Sequence, residues 1–144
     1  MKFEKINPKD YGKLLFKMDV EAFCRDFDYP SPSVKMTLKY LKGCVVYLAY
    51  LDKEPIGLLA YMKKNNSVEV KQVVVMPRYQ NKGYGKIIVR KLLDLVKGSQ
   101  IWLVTHPKNK AAIILYLKMR FQITGWEDNY YGDGQPRLML QYQK

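Results

Sequence analysis

The stretch Val73–Lys86, which reads VVVMPRYQNKGYGK, decides how the rest of the chain is interpreted. An apolar, β-branched run stops at Pro77, and a short polar turn leads to two glycines, Gly83 and Gly85, that open a segment with helical periodicity. This order predicts a strand that delivers a glycine-rich turn to the N-terminus of a helix. Because backbone N–H groups are unpaired there and the helix dipole is positive, we expect a phosphate-binding turn.

The composition is that of one globular domain with a basic surface. The 144 residues are 48% hydrophobic and 13% aromatic, enough for a single packed core, and we expect one domain over residues 1–144. Lys and Arg number 25 against 13 Asp and Glu, so the formal net charge is +12. This charge favours an anionic partner such as a phosphorylated ligand. The basic residues are scattered rather than striped, which disfavours nucleic acid as the partner.

Cysteine and histidine usage limits the chemistry. Cys24 and Cys44 cannot form a disulfide framework, and His106 is the only histidine, so we expect no metal site and no Ser-His-Asp device. His106 itself is predicted to be a loop residue. The N-terminal residues lack an apolar signal core, and the longest apolar run is too short for a membrane span. We therefore expect a cytoplasmic protein without membrane contact.

Hydrophobic periodicity predicts the order β-α-α-β-β-β-α-β-α-β-β, an α/β (α+β) fold with a mixed sheet and helices on its faces. The predicted elements include a helix over 9–24 begun by Asn7 or Asp10, and a second helix capped by Ser31 or Ser33. Three antiparallel strands follow from residue 45 to residue 76. Strict alternation along the third strand predicts that Glu69, Lys71, Val73 and Val75 share one face.

The spacing of the glycine turn excludes the two commonest nucleotide motifs. A Walker P-loop needs glycine at the position of Gln80 and serine or threonine at that of Ile87. A dinucleotide fingerprint needs a third glycine where Ile88 stands. The turn therefore belongs to neither of these nucleotide-binding motifs.

The turn reads Q-x-x-G-x-G from Gln80 to Gly85, and it resembles the acetyl-CoA-binding motif of the GNAT superfamily of N-acetyltransferases. A second signature of that superfamily, N-x-x-A-x-x-L-Y-x-K-x-G-F, is matched by Asn109, Ala112, Leu115, Tyr116, Lys118 and Phe121. Arg120 departs from it, standing where glycine is usual. The resemblance implies a GNAT fold, in which a mixed sheet of about seven strands is splayed between the fourth and fifth and flanked by about four helices.

The resemblance also implies acetyl-CoA as cosubstrate and a set of residues that contact it. They lie on the predicted strand before the turn, in the turn itself and on the helix of the second signature. They are Val73, Val74, Val75, Gln80, Asn81, Lys82, Gly83, Tyr84, Gly85, Lys86, Asn109 and Tyr116.

Two residues are implied as catalytic. Relatives that use a glutamate as general base carry it eleven residues before the first motif residue, and Glu69 stands eleven before Gln80. The carboxylate would take the proton of an ammonium, directly or through water. Tyr116 matches the tyrosine that protonates the departing thiolate. The alternatives, an exposed strand carboxylate and a core tyrosine, stay open at this point.

The acceptor is less well marked. Asp26 and Asp28 belong to an acidic segment that would attract an ammonium, and Tyr130 and Tyr131 resemble paired tyrosines in the tail of protein N-terminal α-amine acetyltransferases. We expect a protein or peptide amine. The alternatives are a small amine (a polyamine, amino acid or aminoglycoside) and, in another class, a non-catalytic acetyl-CoA or nucleic-acid binding module. The protein is expected to be a monomer or a homodimer.

Overall fold

The structure is a computed structural model, and it describes residues 1–23 and 33–144. Its strands and helices follow the predicted order. They are β1 (Lys2–Ile6), a 3-10 helix (Pro8–Tyr11), α1 (Gly12–Phe23), α2 (Val34–Tyr40), β2 (Val45–Leu51), β3 (Glu54–Lys64), β4 (Ser67–Val75), a short 3-10 helix (Pro77–Tyr79), α3 (Tyr84–Leu95), β5 (Gln100–Thr105), α4 (Lys110–Lys118), β6 (Phe121–Glu127) and β7 (Arg137–Tyr142).

Polar side chains begin several of these helices as the sequence predicts. The side chain of Asn7 accepts a hydrogen bond from the Lys9 N–H at 3.2 Å, and that of Ser33 accepts one from the Met36 N–H at 3.2 Å. Asn109 accepts from the Ala112 N–H at 3.2 Å and starts α4. Each cap satisfies a backbone donor that the helix leaves unpaired.

The strands of the described residues form one seven-stranded mixed sheet in the order β1-β2-β3-β4-β5-β7-β6. The first four strands pair antiparallel with their neighbours along the chain, and β4 pairs parallel with β5. β7 lies between β5 and β6 and pairs antiparallel with both. The predicted GNAT architecture is confirmed.

The parallel pairing of β4 and β5 is short. It joins Ser67–Glu69 to Gln100–Trp102, although β4 continues to Val75 and β5 to Thr105. The two strands therefore diverge beyond Glu69 and Trp102. This is the predicted splay between the fourth and fifth strands, and it opens a gap through the sheet.

β4 contains a bulge that strict alternation does not predict. Tyr61 of β3 pairs with Val70 and the preceding Ala60 pairs with Gln72, so Lys71 is an extra residue. The inserted residue exchanges the two faces of the strand beyond it. Val73 and Val75 pack on the face of α3 and α4, and Val74 packs against α1. The predicted common face of Glu69, Lys71, Val73 and Val75 is therefore wrong for the two valines.

Two apolar clusters cover the sheet. One joins α3 and α4 to residues such as Val68, Val70 and Leu103, and the other joins α1 to Val46, Leu48 and neighbouring side chains. Burying each Leu or Val side chain stabilises the fold by roughly 1.5–3 kcal/mol. In residues 1–23 and 33–144, no helix has the length and apolar character needed to cross a membrane.

Candidate active site

The glycine-rich turn owes its shape to left-handed backbone at Asn81 and Gly83, whose φ angles are 62° and 86°. A Cβ added at Gly83 would meet nothing within 4 Å, so the backbone conformation rather than space favours glycine there. The Gln80 side chain donates from Nε2 to the Val75 carbonyl at 2.9 Å and ties the turn to the end of β4. The first N–H groups of α3 are thus presented beside the splayed strands.

The two sequence signatures meet at Gly85. A Cβ added at this position would lie 3.1 Å from Cδ2 of Leu115 on α4. A larger residue would therefore require the Leu115 side chain to shift. The close approach gives the second glycine of the turn a packing role.

A cavity of about 580 Å³ runs from this turn into the splay. It is lined by every residue that the resemblance implies for acetyl-CoA except Lys82, whose Nζ lies 5.8 Å from the centroid of the Tyr79 ring. The lining also includes residues that sequence reasoning missed: Glu21, Ala22, Lys108, Lys110 and Lys118. Of these, Lys118 belongs to the second signature and carried a usable signal. The others come from α1, from the loop before α4 and from the first residue of α4.

Tyr116 lies in the wall of this cavity and is almost completely buried. Its ring packs edge-on against Phe121, with centroids 5.1 Å apart. Burial raises the pKa of the Tyr116 phenol well above its ordinary value of 10.0. The phenol is therefore a neutral hydrogen-bond donor throughout the physiological range.

Glu69 lies near the point where β4 and β5 separate, on the face of the sheet that carries α1 and α2. Its side chain is 20% exposed, and its Oε1 is 3.5 Å from Nζ of Lys71, whose side chain is 15% exposed. Being two residues apart on β4, just before the register shift, these two side chains lie on one face. Lys71 was missed from the sequence because alternation alone does not reveal what its ammonium contacts.

Tyr40 of α2 contacts Lys71, the extra residue of the bulge in β4. The Lys71 ammonium lies 4.6 Å from the centroid of the Tyr40 ring, and the Tyr40 hydroxyl donates to the Lys71 carbonyl at 3.1 Å. Burial raises the pKa of the Tyr40 phenol far above its ordinary value. Tyr40 thus links α2 to the irregular part of β4.

The predicted acceptor tyrosines lie in the β6–β7 connection. Tyr130 and Tyr131 pack edge to face with centroids 4.7 Å apart. The Tyr131 hydroxyl approaches Tyr40, and its burial raises the pKa of Tyr131 to about 12, while Glu69 lies near enough to contribute to the same shift. The structure therefore brings Tyr131 and Glu69 to one region. Asp26 and Asp28, the other predicted acceptor residues, lie outside the described residues.

Arg137 organises this connection and was also missed from the sequence. Its buried guanidinium donates to Asp133 Oδ2 at 2.9 Å and lies 5.0 Å from the centroid of the Tyr131 ring. Desolvation acts to raise the pKa of Asp133, but the N–H of Gln135 and the charge of Arg137 outweigh it and lower that pKa. The connection carrying the two tyrosines is thus held by a partly buried ion pair.

His106 lies in the loop after β5, as predicted, but it is buried rather than free in solvent. Its Nδ1 accepts from the Lys108 N–H at 3.1 Å, and its Nε2 is 3.1 Å from Oε1 of Gln135. These contacts assign the proton to Nε2 and tie the end of β5 to the β6–β7 connection. Among the described side chains, no three His, Cys, Asp or Glu residues cluster closely enough to hold a metal ion.

A smaller cavity of about 380 Å³ adjoins Glu69 on the side of the β3–β4 turn. The indole of Trp102 forms one wall, and its Nε1 donates to Ser67 Oγ at 3.1 Å. The Glu69 side chain therefore contacts Lys71 of the bulge and also lines this cavity. The other lining residues are Met62, Lys64, Asn65, Asn66 and Gln100.

The sheet, its splay and the glycine turn at the start of α3 define an acyltransferase fold. The sequence profile of the acetyltransferase (GNAT) family matches residues 15–121, and the chain belongs to that family.

Individual relatives agree with this assignment. N-alpha-acetyltransferase RimI of Mycobacterium tuberculosis is 38% identical over 63 residues, which are 44% of this chain and 40% of that protein. The match thus spans less than half of the relative's length. The ribosomal-protein-S18-alanine N-acetyltransferase of Escherichia coli superposes with a TM-score of 0.80 at 18% identity, covering 98% of this chain and 92% of that one. An acetyltransferase from Bacillus subtilis, solved in complex with CoA, has a TM-score of 0.80 at 19% identity, covering 99% and 98%. At these identities the two structures show the fold alone.

Proposed function

We propose that residues 1–144 form a single acetyltransferase domain that moves the acetyl group of acetyl-CoA to a primary amine. The observation that carries the proposal is the cavity that joins the N-terminus of α3 to the gap between β4 and β5, with Tyr116 in its wall. The turn suits a pyrophosphate, and the gap suits an extended pantetheine arm. The B. subtilis neighbour with bound CoA supports the same ligand.

Glu69 is proposed as the general base, acting directly or through a water molecule. An acceptor amine arrives as an ammonium and must lose a proton before it can attack the thioester carbonyl. The carboxylate lies on the face opposite α3 and α4, which suits an amine that enters from the other side of the sheet. The nearby Lys71 ammonium would have to give way to the incoming amine at Glu69.

The backbone N–H of Val75 is proposed to stabilise the oxyanion that forms on the thioester carbonyl. The next N–H along the strand, that of Met76, donates to the Ile56 carbonyl of β3 at 2.8 Å. Successive N–H groups of a strand point to opposite sides, so the Val75 N–H points toward the splay. A fixed donor there would cost no reorganisation as the charge develops.

Tyr116 is proposed to assist departure of CoA. A thiol has an ordinary pKa of about 8.5, well below the raised pKa of the buried phenol. Complete proton transfer from Tyr116 to the sulfur is therefore unfavourable, whereas a hydrogen bond to the developing thiolate is favourable. Solvent would then supply the proton of free CoA, and the phenol would not need reprotonation.

The proposed acceptor is the α-amine of a protein or peptide. The M. tuberculosis relative is named an N-alpha-acetyltransferase, and the E. coli neighbour acts, by its name, on an alanine of a ribosomal protein. The aromatic pair Tyr130 and Tyr131 beside Glu69 would cover an extended peptide.

The acceptor is tested by measuring free CoA thiol with matched peptides and small amines. We expect turnover with a peptide that has a free N-terminus and no lysine, and none with its N-terminally blocked form. Turnover only with polyamines, amino acids or aminoglycosides would replace the peptide by a small amine. Binding of acetyl-CoA without turnover on any amine would favour a non-catalytic module.

The base is tested with Glu69→Gln, using Glu4→Gln on the distant strand β1 as the matched control. Loss of general-base catalysis lowers turnover by roughly 10²–10⁴-fold, and affinity for acetyl-CoA should not change. An unaltered pH–rate profile in Glu69→Gln would contradict the assignment.

A further inference from the structure

We propose that Lys71 is a site of self-acetylation: in the absence of an acceptor, its own Nζ receives the acetyl group from acetyl-CoA bound to the same chain. The inference rests on the proposed acetyl transfer. It would give the protein a covalent modification at the centre of its own acceptor region.

The first support is the position of the amine. The Lys71 Nζ is 3.5 Å from Oε1 of Glu69, the position that an acceptor amine would take if the proposed base acts on it directly. Alternation along β4 puts both side chains on one face, at the point where the strands begin to separate. A nucleophile tethered beside the base reacts as if present at a very high concentration.

The second support is the contrast with the other lysines. All lysines of the chain lie in the described ranges, and Lys71 and Lys91 are the ones that are not exposed. Lys91 lies against the rings of Phe3 and Tyr47, at 5.5 Å and 5.8 Å from their centroids. Lys71 is therefore the partly buried lysine that has a carboxylate of the proposed site as its partner.

The third support is that the Lys71 backbone is held from two sides. It sits in the bulge between pairings of β3 and β4, and its carbonyl accepts from the Tyr40 hydroxyl at 3.1 Å. A fixed Cα limits the positions that Nζ can reach. The ammonium can leave Glu69 only by rotation of its own side chain within this small region.

The reaction balances without another reactant. The Lys71 ammonium gives a proton to Glu69, and the neutral Nζ attacks the thioester carbonyl. The N–C bond forms, the C–S bond breaks, and the nitrogen loses a second proton. The thiolate takes one proton, so the products are Nε-acetyllysine, CoA thiol and one net proton. Hydrolysis of acetyl-CoA is not required.

The test uses the full chain with trideuterated acetyl-CoA and no added amine. Intact mass measures uptake, and peptide mapping locates the heavy acetyl group, with any light acetyl group from expression scored at the same site. We expect Lys71 to be labelled on the order of tenfold or more faster than the exposed lysines, as tethering beside a base predicts. The rate constant should not depend on protein concentration.

Three variants separate the explanations. Lys71→Arg should remove the fast phase of uptake, Lys91→Arg should keep it, and Glu69→Gln should slow labelling of Lys71. Thermal unfolding checks that each variant is folded, and Lys71→Met provides a second replacement if the arginine variant is not. A fast phase that persists without Lys71, or uniform labelling of exposed lysines, overturns the proposal.

The same preparation is also assayed with the amine panel. Transfer to an added amine while Lys71 stays unlabelled overturns the self-acetylation alone. Absence of transfer to both Lys71 and the panel, with acetyl-CoA bound, overturns the proposed function as well.

Discussion

Tyr116 couples the proposed chemistry to the stability of the protein. Its pKa in the folded state is raised above the ordinary 10.0 because the phenol is buried. The stabilising contribution of the neutral phenol is therefore fully present below a pH of about 10 and is lost as the pH rises above it. Groups that titrate at acidic pH do not contribute to this alkaline pH dependence of stability.

We predict that Tyr116→Phe makes unfolding less sensitive to alkaline pH. Above a pH of about 10, the wild type loses about 1.4 kcal/mol of unfolding free energy per pH unit from this one group. The variant lacks the titrating hydroxyl, so its free energy of unfolding should not show this additional decrease above a pH of about 10. Urea unfolding on either side of this pH measures the difference, which should be constant at lower pH. Parallel pH dependence in both proteins would contradict the prediction.

Residues differ in how much of their role the sequence reveals. Gln80, Gly83 and Asn109 were found because their spacing repeats a known pattern over a short stretch. Lys71 and Arg137 were missed because spacing alone does not show that the Lys71 ammonium pairs with Glu69, or that a turn brings Asp133 back to the guanidinium. A motif is local, whereas an ion pair needs both partners in place.

At the scale of elements, β4 shows the limit of periodicity. Alternation assigned Val73 and Val75 to the face of Glu69, and the bulge at Lys71 moved them to the opposite face. Apolar residues occupy both faces after the bulge, so either register looks acceptable in the sequence. The helices were easier to predict, because Asn7, Ser33 and Asn109 begin them with recognisable caps.

The turn before α3 allows a matched comparison of two glycines. Gly83 and Gly98 have φ angles of 86° and 84°, and a Cβ at either would meet nothing within 4 Å. Alanine at each position should therefore cost a similar 1–2 kcal/mol or so of stability, from backbone strain alone. We predict that Gly83→Ala also weakens acetyl-CoA binding, since relief of the strain reorients the amides of the turn.

Calorimetric titration with acetyl-CoA and thermal unfolding measure the two effects. Gly98→Ala serves as the control because Gly98 lies in the turn after α3, at the opposite end of that helix from Gly83. Equal loss of affinity in both variants would show that general destabilisation, not the turn, governs binding.

At the scale of the whole molecule, charge and cavity act together. The chain carries a formal charge of +12, and among the described residues that line the larger cavity the lysines outnumber the one acidic residue, Glu21. The lining lysines are Lys86, Lys108, Lys110 and Lys118. An anionic ligand should therefore be attracted from a distance and held partly by screened electrostatic interactions.

We predict that affinity for acetyl-CoA falls several-fold between about 0.05 and 0.5 M salt, because the Debye length shortens over this range. Acetyl-pantetheine, which lacks the phosphates, is the matched control ligand and should bind with little salt dependence. Replacing Lys110 with Gln should flatten the salt dependence for acetyl-CoA more than replacing the distant Lys97. Equal slopes for the two ligands would contradict the electrostatic explanation.

The overall architecture was predictable because both signatures and the strand–helix order describe the same fold. The proposed acceptor region was less predictable because it is built from α2, the bulge and the β6–β7 connection, which are far apart in the chain. Tyr40 illustrates this: nothing near it in the sequence indicates that its hydroxyl binds the Lys71 carbonyl. Only the assembled sheet brings these elements together.

The short parallel pairing of β4 with β5 also divides the sheet into two units. Among the described strands, the antiparallel unit β1–β4 and the unit of β5, β7 and β6 pair only over Ser67–Glu69 and Gln100–Trp102, next to a hydrogen bond from the Gln100 N–H to the Asn66 carbonyl. Amide hydrogens within each unit are protected by that unit's own strands, whereas those crossing the junction are protected only while the units stay docked. Deuterium uptake at these few amides therefore reports the opening of the molecule itself, separately from the unfolding of either unit.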